Sequence, residues 1–190
     1  SVTYNYMDST PERPVWTTST LARSTWSDSH IFGKPHATEY DSSATSDTTV
    51  GNTDGVTYYY EHETGVNQIK DGAGTAIAAS IESGDFDISR TQGGGADLRG
   101  DGEYMMKIRR VLPDFLQQTG DARVTLNLKN YPTDSQASSS LGPFTSSTTT
   151  TKIDTRARAR AISLKVDNTS TGQHWKLGTF RLDIQADGRR

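Results

Sequence analysis

Between Asp154 and Asn168 the chain reads DTRARARAISLKVDN. Three arginines alternate with alanines, and the alternation continues through Ile162, Leu164 and Val166. A helix would scatter these side chains around its axis. A strand sends successive side chains to opposite faces, so Arg156, Arg158 and Arg160 form one row and the alanines another. The stretch demands a sheet, and the row of guanidinium groups demands something to face.

The remaining segments agree with an all-β fold of antiparallel sheets, arranged as a propeller-like unit, a sandwich or a barrel. No segment carries the period of a long amphipathic helix. ARVTLNLKNY alternates cleanly, with Val124, Leu126 and Leu128 on one side and Thr125, Asn127 and Lys129 on the other. PVWTTSTLARSTW, GNTDGVTYYYEHETG, TAIAASIESGDFDIS, YMMKIRRVLPDF and HWKLGTFRLDIQ bring the expected number of strands to about seven, separated by turn residues. Pro113 is placed at a strand edge or end, because it cannot donate to a ladder. Three polar stretches are read as long loops: 38–55, 89–102 and 131–154. The expected division is a blade-like β segment over 1–66 and an antiparallel β module over 67–190, with one continuous domain as the alternative and both as part of a larger fold.

Composition narrows the function classes. Only 32% of the residues are hydrophobic, while Ser and Thr together number 47. That suits a shallow-cored β protein or one that shares burial with neighbouring subunits. A net charge of −3 and a pI near 5.8 argue against a dedicated nucleic-acid binder. Without cysteine there is neither a disulfide nor a thiolate metal site. No apolar run approaches the ~18 residues of a membrane span. A chain that starts at Ser1 is expected to be processed or to be the end of something longer.

Catalytic constellations are sparse. His30, His36, His62 and His174 show no ligand spacing. In Glu61-His62-Glu63 the period of two turns the histidine away from both carboxylates, so the three do not converge. The glycine-dense run GGGADLRGDGE lacks a phosphate-cradle pattern, and its Arg99-Gly100-Asp101 triplet is read as turn chemistry. Glu82, Asp85 and Asp87 would need another strand to become a glycosidase pair. The expectation is a non-enzymatic protein with no cofactor and no metal.

The carboxyl-terminal quarter is charged asymmetrically. From Thr155 to Arg190 there are eight Lys or Arg (Arg156, Arg158, Arg160, Lys165, Lys176, Arg181, Arg189, Arg190) against Asp167, Asp183 and Asp187. The plain reading is a solvated face with arginines paired to cross-strand carboxylates. The functional reading is a surface for phosphate or for carboxylates of a neighbouring subunit, both of which suit the arginine fork. The small alanines on the other face allow a second sheet or chain to approach closely.

Several motifs in order, GDGEYMMKIRRVLPDF, TLNLKNYP, LGPF, DTRARARAISLKV and WKLGTFRLDIQADGRR, resemble the carboxyl-terminal region of the tail nozzle or hub proteins of short-tailed bacteriophages, a family of packaged-DNA stabilisation proteins. Upstream, PVWTTSTLARSTWSDSHIFGKPHATEYD and VTYYYEHETG are similar to a propeller blade and its turn in that family. The resemblance implies a virion component in a hexameric ring below the portal and its adaptor, in contact with other tail proteins. Double-stranded DNA would pass through the ring, and no membrane span is involved. Members of the family are usually longer than this chain.

Together, residues and resemblance point to a structural subunit that retains and passes on packaged DNA. Arg156, Arg158, Arg160, Arg181, Arg189 and Arg190 are the candidates for inter-subunit or lumen contact. Pairing across strands or subunits is favoured, because a channel that gripped phosphate tightly would hinder sliding. A capsid decoration subunit is one alternative. A carbohydrate-binding module with Trp16, Trp26 and Tyr58 to Tyr60 as a stacking platform is another, although buried packing suits those aromatics better.

Overall fold

The computed structural model describes residues 2–11, 13–18, 22–29, 31–43, 55–70, 72–88, 104–131 and 139–189. The glycine-dense run with Arg99-Gly100-Asp101 lies outside them, as do 44–54 and Arg190. Every regular element among the described residues is a strand, and every ladder is antiparallel. No helix there is long and apolar enough to cross a membrane. The chain divides into two compact units, Ser1–Gly65 and Val66–Arg190.

The first unit holds a hairpin and a three-stranded sheet. Strands β1 (Val2–Thr10) and β2 (Arg13–Thr18) form the hairpin, and β3 (Thr25–Ser27), β4 (His36–Asp41) and β5 (Val56–Glu61) form the sheet in that order. Arg23, just ahead of β3, lies 4.0 Å above the Tyr60 ring and pairs with Glu39 at 3.0 Å. Its Nε donates to His62 Nε2 at 3.2 Å, which fixes that imidazole as an acceptor.

In the second unit the small elements come first: β6 (Asn67–Lys70), β7 (Ala73–Ala76) and β8 (Ser80–Glu82). Then follow β9 (Tyr104–Leu112), β10 (Phe115–Thr119), β11 (Ala122–Lys129) and β12 (Ser139–Ser146). The last four are β13 (Ile153–Ala159), β14 (Ala161–Asp167), β15 (His174–Leu177) and β16 (Arg181–Arg189). Two open sheets carry the core, one ordered β12-β11-β14-β8 and the other β13-β9-β16. Their apolar faces share one cluster: Val124, Leu126, Leu128 and Ile162 from the first, Met106, Ile108, Val111, Ile153, Ala157 and Ala159 from the second. Of the expected architectures, this unit builds the sandwich, and no barrel closes among the described residues. Each fully buried Leu, Ile or Val contributes roughly 1.5–3 kcal/mol.

The strand at 122–129 behaves as its period requires, buried at every even position. The RARARA strand departs from expectation at its end. It stops at Ala159, Arg160 forms a bend, and β14 continues in the other sheet. The Arg160 amide donates to the Lys129 carbonyl at 3.1 Å, so the corner is held from across the fold. Ala157 and Ala159 are fully buried. Their small side chains meet the opposite sheet of the same unit.

The stretch 131–154, expected to be loop, contains β12 over Ser139–Ser146. Its Ser, Gly and Pro content is poor strand chemistry, but β11 supplies a partner for its backbone. Just after β14, Asn168 is 3% exposed. Its Oδ1 accepts from the Ala79 amide at 3.3 Å and from Trp175 Nε1 at 3.1 Å, and its Nδ2 donates to the Ile77 carbonyl at 3.0 Å.

Candidate functional site: a basic sheet face

The outward face of β13-β9-β16 collects the arginines. On β9 the sequence Ile108-Arg109-Arg110-Val111 places two arginines between two fully buried apolar residues. Strict alternation would drive one arginine into the core, where an unpaired charge is very costly. The ladder shifts instead. Asp183 faces Arg110 and Ile184 faces Ile108, so Arg109 is the extra residue of a bulge. Opposite, β13 also shifts register between Asp154 and Ala157, which sets Arg156 at the same level as Arg109.

The face therefore carries six cations, Lys107, Arg109, Arg110, Arg156, Arg158 and Arg181, and three carboxylates, Asp154, Asp183 and Asp187. Arg110 Nε meets Asp154 at 3.0 Å, and Lys152 reaches the same carboxylate at 3.3 Å. Arg158 pairs with Asp187 across the width of the sheet. Hydrogen bonds from Arg110 and Lys152 hold Asp154 below the usual carboxylate range. The Arg158 hydrogen bond, with the charges of Arg158 and Lys107, does the same for Asp187. Both stay ionised. Arg109, Arg156 and Arg181 are exposed and make no ion pair among the described residues.

The outward face of the partner sheet is a useful control. Arg123 meets Asp167 at 2.6 Å, Lys165 meets the same carboxylate at 3.7 Å, and Lys129 meets Asp85 at 2.6 Å. Glu82 accepts from Asn127 at 2.6 Å and from Ser163 at 2.5 Å. Three cations thus match three carboxylates there. The surplus belongs to the other face.

Of the sequence candidates, Arg156, Arg158 and Arg181 share the basic face, and Arg158 is satisfied within the chain. Arg160 stands at the corner, half-buried and with partners of its own, so the expected row of three is a row of two. Arg189 ends β16 opposite Tyr104, while its side chain and Arg190 lie outside the described residues. Lys107, Arg109 and Arg110 were not among the candidates. The broken alternation at Arg109-Arg110 was their signal.

The other candidates are held differently. The Ser163 and Asn127 hydrogen bonds lower the Glu82 pKa, the opposite of what a proton donor needs. Asp85 is tied to Lys129, and Asp87 has partners as well. Strand β5 ends at Glu61, which pairs with Lys34 at 2.7 Å, so Glu63 does not share a strand face with it. Burial and the nearby Arg23 charge lower the His62 pKa. Among the aromatics, Tyr60 is buried at 9% exposure, but Trp16, Trp26 and Tyr59 are 58%, 54% and 66% exposed. For those three the expected burial is not observed within this chain. A shallow cleft of about 300 Å³ over 113–118 and 147–150 is lined by one charged residue, Asp114, whose carboxylate already accepts from the Thr179 amide.

What the basic face offers is a flat array of guanidinium forks with capacity left for carboxylate or phosphate oxygens. No protein-family model matches the chain, and no curated protein or solved structure matches it either.

Proposed function

We propose that this chain is a non-enzymatic structural subunit in the tail of a short-tailed bacteriophage. In this reading it forms the nozzle or hub ring through which packaged DNA is retained and then released. The observation that carries the reading is the cationic surplus on one sheet face, beside a partner face whose charges are matched. Such a surplus on a chain of net charge −3 fits a seam with another protein surface better than a grip on DNA. A ring closed by ionic seams leaves its duplex free to slide, because it does not release phosphate counterions in bulk. The ordered motifs of the carboxyl-terminal half support the same reading, as does the all-β sandwich of the second unit.

Native mass spectrometry of the 190-residue chain tests it. The expected result is a closed oligomer of one stoichiometry, hexameric by the resemblance. It should loosen in about 0.5 M salt, where the Debye length falls to about 4 Å. A monomer at every salt and protein concentration would count against the ring. Lattice-like or three-fold association would favour a capsid decoration subunit.

One observation favours a second reading. The Trp26 and Tyr59 rings are exposed on opposite faces of the β3-β4-β5 sheet, each a single aromatic surface open to stacking on a sugar. Specific retention on a glycan array, lost in Trp26→Ala, would move the assignment to a carbohydrate-binding module.

A further inference from the structure

The two units differ in charge by more than the whole chain suggests. Residues 1–65 hold three Lys or Arg against nine Asp or Glu, a net of −6. Residues 66–190 hold seventeen against fourteen, a net of +3. Within the first unit, Arg23 contributes little outward charge, since it is paired with Glu39 and its side chain is 10% exposed. Strands β3 and β5 both run antiparallel to β4, with Ser27 opposite His36 and His36 opposite Glu61. Asp28, Glu61 and Glu63 therefore gather at the end of the sheet where β4 begins, and all three are exposed. Lys34 answers only Glu61 there.

We infer that the basic face of β13-β9-β16 in one copy receives the acidic amino-terminal unit of a second copy. This inference rests on the ring reading above and names its seam. The occupant follows from charge complementarity: the chain supplies, at equal stoichiometry, one surface with a cationic surplus and one unit with an anionic surplus. Two different patches in contact make a heterologous, head-to-tail interface, which closes into a ring when its rotation allows. Duplex DNA is the competing occupant, and the overall negative charge works against its approach at long range.

Dimensions decide what the contact does. Three strands about 4.8 Å apart, two of nine residues and one of seven, give a face of roughly 10 by 30 Å. That is about 300 Å², well under the ~800 Å² per partner of a standard interface. The arginines therefore set register and association rate, with flanking surface completing the contact, and the seam is salt-sensitive.

Two variants of the 190-residue chain test the inference by sedimentation velocity. One reverses the basic face (Arg109→Glu, Arg156→Glu, Arg181→Glu), and the other reverses the acidic end (Asp28→Lys, Glu61→Lys, Glu63→Lys). All six positions are exposed, and circular dichroism verifies that each variant folds. Each variant alone is expected to self-associate roughly tenfold or more weakly than the parent, the combined strength of three exposed ion pairs. In an equimolar mixture the unaltered basic face meets the unaltered acidic end, and the two reversed surfaces complement each other as well, so mixed oligomers in which the two variants alternate should form. A single chain carrying all six substitutions restores complementarity and should oligomerise again.

Parent-like oligomers in both variants would overturn the inference and leave the ring reading standing, with its seam elsewhere. A mixture that stays monomeric would also overturn it. A parent chain that is monomeric throughout would remove both. Assembly that requires a double-stranded oligonucleotide, and that only the basic-face variant abolishes, would make phosphate the occupant and overturn the inference.

Discussion

Replacing Ala157 by leucine tests why arginine alternates with alanine. Ala157 is fully buried, sits opposite Ile108 in the ladder, and belongs to the cluster shared by both sheets. Three added carbons have no space there without displacing a neighbour, and overpacking of this kind costs about 1–3 kcal/mol. Arg156→Leu, one residue earlier on the exposed face, should stay within about 0.5 kcal/mol. Trp175 is the one tryptophan of the second unit, so urea unfolding can be followed by its fluorescence after Trp16→Phe and Trp26→Phe. With a urea slope of about 2 kcal/mol/M, the Ala157→Leu midpoint should fall by roughly 0.5–1.5 M. If Arg156→Leu destabilised more than Ala157→Leu, the assignment of the two faces would be refuted.

Asn168→Ala removes the side chain that ties the 77–79 segment to Trp175, and with it three part-buried hydrogen bonds. A loss of about 1–2 kcal/mol is expected by the same urea assay. Glu82 has a folded pKa below its unfolded value, so its contribution is present above the unfolded pKa and fades as pH falls through the folded one. Glu82→Gln should therefore flatten the acid side of the stability profile, below about pH 4.5, measured as melting temperature against pH. A profile parallel to the parent's would contradict this.

Much of the second unit was legible in its sequence. The alternation at Val124, Leu126 and Leu128 told which residues enter the core, because a strand with one buried face leaves little freedom of register. The same holds for alanine inward and arginine outward over 156–159. What stayed hidden was non-local. No glycine or proline marks the corner at Arg160, which depends on a carbonyl more than thirty residues upstream. Strand β12 read as loop because its pairing comes from β11 and not from its own propensities. The strand count rose from about seven to sixteen among the described residues for similar reasons, since several apparent single strands split between sheets. The site was half-legible: Arg156, Arg158 and Arg181 stood out, whereas Lys107, Arg109 and Arg110 joined them through pairing with a strand some fifty residues away. The carboxylates that neutralise Arg110 and Arg158 were equally out of sight until register was known.

The proposed seam covers the outward face of β13-β9-β16 in the assembly and leaves that of β11-β14 open. Arginine footprinting with phenylglyoxal, read by peptide mass spectrometry, tests this directly on assembled chain and on chain dissociated by salt. Arg109, Arg156 and Arg181 should become several-fold less reactive on assembly, while Arg123, already paired with Asp167, should not change. Equal reactivity of the three arginines in both states would contradict the account.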